Sequence, residues 1–264
     1  MIIAEIGWNF LGDMNLAKKM IDDAKEANCK FIKFQLWDPK NLKPGEWDHD
    51  GRRDIYNKSY LDEAKFEELF NYCSSNDLNC FASIFNLEGI DTLLKFTSKY
   101  IKIPSLEAYD DEIIKKCLDS FENIIISTGA LKYNELKKIE KYKNCDNLTV
   151  LHCVSSYPLD YKNSNFSKFF YLKEKFKKVG YSGHCKGIED ALFAISNGAV
   201  VVEKHFTSDN NLPGRDNKFA ILKSDLKKLC DFQLKVNEML IDHGLDLQIS
   251  EKDAYEHYRG RWKN

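Results

Sequence analysis

Ile2-Ile3-Ala4-Glu5-Ile6, then Met14–Ala27, then Phe31-Ile32-Lys33-Phe34-Gln35: the reading of these three stretches decides the fold. The first and third are nearly continuous hydrophobic runs, the pattern of parallel strands covered on both faces. In the second, Leu16, Met20, Ile21 and Ala24 form one stripe and lysines and acids the other, which predicts an amphipathic helix. This strand–helix–strand unit recurs along the chain. Further strands are expected at Cys80–Ile84, Tyr100–Ile103, Asn123–Ser127, Leu148–Cys153, Lys178–Ser182 and Val200–His205. Helices are expected at Leu61–Ser74, Leu87–Thr97, Asp110–Asp119, Tyr133–Tyr142, Phe166–Phe176, Ile188–Asn197 and Lys223–Ile241. Eight strands, each followed by a helix, predict a (β/α)8 TIM barrel. The rival is a doubly wound open sheet. Against it, no Gly-x-Gly-x-x-Gly follows the first strand, and Gly7 and Gly12 do not fit that spacing.

The chain has 264 residues, close to the roughly 250 of one such barrel. With no internal repeat or low-complexity linker, residues 1–264 read as one barrel domain, with a helical extension from about 251. Hydrophobic residues at 43% and charged residues at 30% exclude disordered, collagen-like and coiled-coil classes. A formal charge of −2 argues against nucleic acid as the main partner. No apolar run reaches about 18 residues, so no membrane helix is expected, and the N-terminus lacks the basic start of a signal peptide. Eight cysteines with no Cys-x-x-Cys pair read as buried free thiols in a reducing cytoplasm. The long connection Leu36–Tyr60 is expected to be functional or mobile.

Chemistry in such barrels sits at the C-terminal ends of the strands. Those ends are polar here: Glu5 and Asn9; Lys33 and Gln35; Ser83; Lys102 and Ser105; Ser127; His152, Ser155 and Tyr157; Ser182 and His184; Glu203, Lys204 and His205. Period-2 alternation places Glu203 and His205 on one face and Lys204 on the other, against helices or in an outer ion pair. His184 and His205 on neighbouring strand ends form either a divalent-metal pair or two hydrogen-bonded core histidines. His152 reads as structural, and His49, His243 and His257 as surface or loop residues. Lysines 33 and 102 need an anion, a structural partner such as Glu5 or Glu107, or a Schiff-base role.

Several motifs resemble the sialic acid synthase family. They are Ala4-Glu5-Ile6-Gly7, Lys33-Phe34-Gln35, Lys102-Ile103-Pro104-Ser105 and Ser127-Thr128-Gly129. Ser155-Ser156-Tyr157-Pro158, Gly180-Tyr181-Ser182-x-His184, Glu203-Lys204-His205-Phe206-Thr207 and Pro213-Gly214-x-Asp216 follow in the family's order. The resemblance implies a TIM barrel that condenses phosphoenolpyruvate with an open-chain amino sugar such as N-acetylmannosamine. It implies Mn2+ or Mg2+ on His184 and His205. Lys33, Lys102, Ser105, Ser127, Ser155 and Ser182 would then hold the phosphoenolpyruvate anion. Glu5 would stand at the reacting centre, and Gln35, Tyr157 and Asp216 near the sugar. Glu203 beside the histidines, Asn9 and Ser83 complete the expected site.

The chain departs from the family at Phe10-Leu11, where a polar pair is usual, at Gly183, where an acid is usual, and at Ser155, where Asn is common. It stops at Tyr258-Arg259-Gly260-Arg261-Trp262, about where the family's linker to an arginine-bearing antifreeze-like domain begins. A homodimer is expected, with Leu36–Tyr60 as the lid or a separate protein supplying the missing domain. In that lid, Arg52 and Arg53 would bind the sugar, and Trp37 and Trp47 would stack on it, cover a partner or pin the loop. Two alternatives are a Schiff-base pyruvate aldolase and a catalytically impaired barrel acting as a partner or binding subunit.

Overall fold

The computed structural model describes residues 1–262. Its strands are β1 Ile2–Glu5, β2 Phe31–Leu36, β3 Asn79–Ile84, β4 Tyr100–Ile103, β5 Asn123–Ser127, β6 Leu148–Cys153, β7 Val179–Gly183 and β8 Val202–His205. All pair in parallel and in chain order, and β8 closes onto β1 with Glu5 beside His205. The TIM barrel read from the sequence is the fold, and each strand lies within two residues of its expected bounds.

The crossovers carry α1 Met14–Glu26, α2 Arg52–Lys58, α3 Glu63–Ser75, α4 Leu87–Leu94, α5 Asp111–Ser120, α6 Tyr133–Ile139, α7 Phe166–Lys175 and α8 Glu189–Ser196; α9 Lys223–Met239 follows β8. Four of these start on a side-chain cap, Asp13, Asp62, Asn86 or Asp110, whose oxygen accepts from the first-turn amides. The expected helical extension is a 3₁₀ turn at Ile249–Glu251 and a π-helical turn at Ala254–Tyr258, both exposed; residues 263 and 264 lie outside the described residues.

Strand alternation divides the core. Residues facing out of the barrel, such as Ile32, Phe34, Ile101, Ile124 and Val150, join the helices in one large apolar cluster. Facing in, Ile3, Phe81, Ile125, Leu151 and Val201 form a small second cluster, with Phe31 and Tyr100 packed on it. This plug closes the N-terminal end of the barrel. Two residues further along seven strands stand Glu5, Lys33, Ser83, Lys102, Ser127, Cys153 and Glu203, all lining one cavity. The period of a strand therefore places a polar layer directly on an apolar floor.

Connection Leu36–Tyr60 is not a plain loop. It holds 3₁₀ turns at Pro39–Asn41 and Glu46–Asp48 and the short helix α2. Trp37 meets Tyr56 edge-on at 5.1 Å and Trp8 at 6.0 Å, while Trp8 stacks on Tyr56 at 4.2 Å. Trp37 thus pins the connection to the end of β1. Trp47 donates to the Lys43 carbonyl within the connection.

His152 faces the helices as a buried structural group, its Nε2 donating to the Ser164 carbonyl at 2.7 Å. Burial pushes its pKa down to about 4. The folded state therefore binds fewer protons than the unfolded state between pH 6.5 and 4, so stability falls as pH drops through that window. His152 accounts for a loss of about 3 kcal/mol. Urea titrations at pH 7 and pH 4 should show His152→Gln, which can still donate to Ser164, losing less stability on acidification than the wild type. Equal losses would refute this.

Candidate active site

An open cavity of about 360 Å3 lies at the C-terminal end of the barrel. Its lining includes Glu5, Lys33, Gln35, Ser83, Lys102, Ser105, Ser127, Tyr157, Ser182, His184, Glu203 and His205. The structure thus brings most of the residues singled out in the sequence to one place.

One chain of charges runs across the cavity floor. Gln35 Nε2 donates to Glu5 Oε1 at 2.8 Å, and Glu5 Oε2 pairs with Lys33 Nζ at 2.5 Å. Lys33 also donates to Ser83 Oγ at 2.7 Å and lies 3.8 Å from Glu203 Oε2. The other Glu203 oxygen is 3.7 Å from Lys102 Nζ and accepts from Ser182 Oγ at 3.1 Å. Two ammonium groups therefore share Glu203, and all of these charges are buried. Burial disfavours ionised Glu203, but Lys102 and Lys33 outweigh it and hold the carboxyl at about 2. Burial raises Glu5, against the pull of Lys33. Burial lowers Lys102, which has no closer counter-ion than Glu203. A site with two buried ammonium groups and one strongly ionised carboxylate is built for an arriving anion.

The serines supply donors around it. Gly129 N–H donates to Ser105 Oγ at 3.0 Å. A Cβ on Gly129 would stand 2.3 Å from Ser155 Oγ, so the close approach of Ser105 and Ser155 requires glycine there. Ser127 Oγ and Ser155 Oγ are buried with no partner. Buried polar atoms without partners mark a place where a ligand or water completes them.

His184 and His205 face each other with ring centroids 5.5 Å apart. His184 Nδ1 donates to the Val154 carbonyl at 2.9 Å, which leaves Nε2 as the free lone pair. Burial opposes a charge on His184, but Cys153 in its thiolate form, with the Val154 carbonyl, outweighs burial and raises its pKa; the neutral ring presents the Nε2 lone pair. Burial lowers His205 to about 4, so it is neutral. Its Nδ1 is buried without a hydrogen-bond partner, 3.7 Å from Asp216 Oδ2. Two imidazoles with nitrogen lone pairs are a donor pair that a divalent metal ion would fit. Among the described residues no group of three His, Cys, Asp or Glu side chains surrounds one point, so water and substrate would fill the other positions. The Tyr157 ring lies 4.2 Å from that of His184 and caps this side.

Three expected residues are outside the main cavity's lining: Ser155, whose hydroxyl stands beside Gly129, and Asn9 and Asp216, which lie around a second cavity of about 280 Å3. Asn9 donates to the Phe206 carbonyl, with Oδ1 unpartnered, and Asp216 accepts from Trp8 Nε1 at 2.5 Å. Trp8, Arg52, Tyr56 and Arg215 share this lining. Arg215 also lies 4.8 Å over the Tyr157 ring, which joins the two cavities. The expectation for Arg53 is corrected: it donates to Asp48 Oδ1 and the Pro39 carbonyl, each at 2.6 Å, and serves the connection itself. Trp47 likewise lines neither this cavity nor the main one. Sequence reasoning missed Cys153, Phe85, Trp8 and Arg215. Cys153 was within reach, two residues beyond inward-facing Leu151. The arginine carried no local signal, because its partners come from distant segments.

Glu203→Gln should lower the unfolding free energy by about 3 kcal/mol, the order for removing one partner of a buried ion pair. Inorganic phosphate should then raise the variant's Tm more than the wild type's. An unchanged urea midpoint would show that the lysines do not depend on Glu203.

The chain matches the NeuB family over residues 20–244. It is 35% identical to N,N'-diacetyllegionaminic acid synthase of Campylobacter jejuni over 248 residues, covering 87% of this chain and 74% of that protein. It is 32% identical to the pseudaminic acid synthase of the same species, covering 93% of this chain and 76% of that one. The N-acetylneuraminic acid (sialic acid) synthetase of Leptospira borgpetersenii, solved in complex with citrate, superposes with a TM-score of 0.85 at 30% identity. That superposition covers 98% of this chain and 91% of the other. The family match over residues 20–244, with relatives 35% and 32% identical across most of the chain, places this closed barrel in the NeuB family.

Proposed function

We propose that this barrel condenses phosphoenolpyruvate with an open-chain aldose, N-acetylmannosamine or a related amino sugar. The products are a 2-keto-3-deoxy sugar acid and phosphate. The observation that carries the reading is the gathering of Lys33 and Lys102 with four serine hydroxyls, that of Ser127 buried and unpartnered, in one cavity with two imidazoles. A multiply charged phosphate ester needs the first set, and an aldehyde acceptor needs the second.

In this reading Lys33, Lys102, Ser105, Ser127 and Ser182 hold the phosphate and carboxylate. His184 and His205 would hold Mn2+ or Mg2+, which supplies Lewis-acid polarisation of the aldehyde oxygen. The enol C3 attacks the aldehyde carbon, and positive charge develops at C2. Glu5, whose proton affinity burial has raised, sits beside Lys33 to stabilise that charge and take a proton from the adding water. The C2–O bond to phosphate then breaks toward the lysines, and the proton on Glu5 goes to the leaving phosphate. As the ketone forms, the C2 hydroxyl gives up its proton, which ends on the aldehyde-derived oxygen. The acceptor's far end extends into the second cavity, between Asp216, Asn9 and the guanidinium groups of Arg215 and Arg52.

Lys102, lowered by burial, favours a second reading, a Schiff-base aldolase acting on pyruvate. Borohydride with pyruvate would trap that adduct, and the proposed synthase gives none.

Phosphate release, measured with phosphoenolpyruvate and a panel of aldoses with and without Mn2+, tests the proposal. Release that no aldose stimulates would sink it. Lys33→Ala and Lys102→Ala should each weaken phosphoenolpyruvate binding by about 1–3 kcal/mol, the order of a lost charge-assisted hydrogen bond. Arg215→Ala should raise the KM of the sugar about tenfold, near the 1.4 kcal/mol of one polar contact, and leave the KM of phosphoenolpyruvate unchanged. Equal effects on both substrates would place Arg215 outside the acceptor's subsite.

A further inference from the structure

A buried ion pair lies behind the site, on the helix side of the barrel. Lys204 is 1% exposed and points away from the cavity, between Glu203 and His205, which line it. Its ammonium is fully used: Nζ donates to the Cys185 carbonyl at 2.8 Å and lies 3.1 Å from each Asp190 oxygen. Asp190, at the start of α8, is also buried; it accepts from Ala191 N–H at 2.9 Å and from the Tyr181 hydroxyl at 3.1 Å.

The placement of these partners along the chain is specific. Lys204 directly precedes His205. The carbonyl it binds belongs to Cys185, which directly follows His184. On its other side the same turn is held by β6 and its loop: Leu159 N–H donates to the His184 carbonyl at 3.0 Å, and His184 Nδ1 donates to Val154. Gly183 completes the arrangement. A Cβ there would stand 2.4 Å from Asp190 Oδ2, 2.6 Å from Tyr181 Cε1 and 3.1 Å from Lys204 Cδ, so a side chain at 183 would displace the pair and the tyrosine that donates to Asp190.

Stability alone does not require these charges. A buried ion pair replaced by apolar groups of similar volume is often neutral or more stable, while its geometry fixes register. We propose that Lys204, locked by Asp190, is a positioning residue: a strut between the ends of β7 and β8 that sets the separation of the His184 and His205 imidazoles and so the affinity for the divalent ion. The ion rests on the functional reading above; the strut does not.

The test uses the full chain without substrate. Free Mn2+ is read by electron paramagnetic resonance, inorganic phosphate binding by calorimetry, and the His184 Nδ1–H by 15N NMR of the metal-free protein. The double variant Lys204→Met/Asp190→Leu removes both charges and leaves no lone buried ion. Its Mn2+ affinity should fall at least about tenfold, the usual scale when the support of a ligating histidine is lost. Phosphate affinity, set by Lys33 and Lys102, should change less than twofold. Lys204→Arg, which keeps the charge and donors, should restore most of the Mn2+ affinity. Gly183→Ala, which keeps every polar group but crowds Asp190 and its partner Tyr181, should reproduce the Mn2+ loss and decides the matter should the double variant fail to fold. Unchanged Mn2+ affinity in a folded variant overturns the strut, as does a parallel loss of phosphate affinity. Should the wild type bind no Mn2+, the metal reading falls by itself, and the His184 signal decides the strut. A shifted or exchange-broadened Nδ1–H in the variants supports it, and an unchanged one overturns it.

Discussion

A strand in a closed barrel has only two faces, and every inward residue must fill the same narrow interior. The plug of Ile3, Phe81, Ile125, Leu151 and Val201 takes up the lower half. The inward position two residues later is then the first with room for anything but packing. The polar floor of the candidate site depends on that step. Glu5, Lys33, Ser83, Lys102, Ser127, Cys153 and Glu203 reach one cavity because each follows a floor residue by two.

Placing four ionisable side chains on an apolar floor costs free energy unless each finds a partner. The partners form a chain, Gln35 to Glu5 to Lys33 to Glu203 to Lys102, and the chain is unevenly balanced. Glu203 serves two lysines, while burial draws Glu5 toward its neutral form. The floor thus leaves Lys102 with only a shared counter-ion at 3.7 Å, the place where a phosphate ester would add charge. The two histidines face it from the ends of β7 and β8, and the carbonyl at Val154 fixes which His184 nitrogen is free.

The connection Leu36–Tyr60 is tied to the barrel by packing rather than by charge. Trp8, Tyr56 and Trp37 form an aromatic cluster that ties α2 to the mouth of β1. Arg53 spends its guanidinium on Asp48 and Pro39 within the connection. The cation that reaches toward the main cavity is Arg215, held over Tyr157 in a segment that follows β8. An exposed arginine's sequence neighbours say nothing about which ring or carboxylate it will meet, so only the assembled barrel could distinguish Arg215 from Arg53.

The sequence by itself determined the architecture and most of the candidate site. Strand positions, the barrel and the inward-facing polar residues all follow from period-2 alternation and hydrophobic runs, which are local and therefore written in neighbouring residues. The outward direction of Lys204 was also legible, because it lies between two inward groups. Only the tertiary structure decided with whom these residues pair. That Lys33 bonds Glu5 and Ser83, that Lys204 reaches Cys185 and Asp190, and that Asn9 and Asp216 open onto a second cavity depend on the register between strands. Register is set by the closure of eight strands at once, a constraint no single segment carries. The short helix α2 escaped sequence reading for the same reason: its seven residues are too few to form a helix alone, and its stability comes from Tyr56 packing on Trp8, a residue far away in the chain.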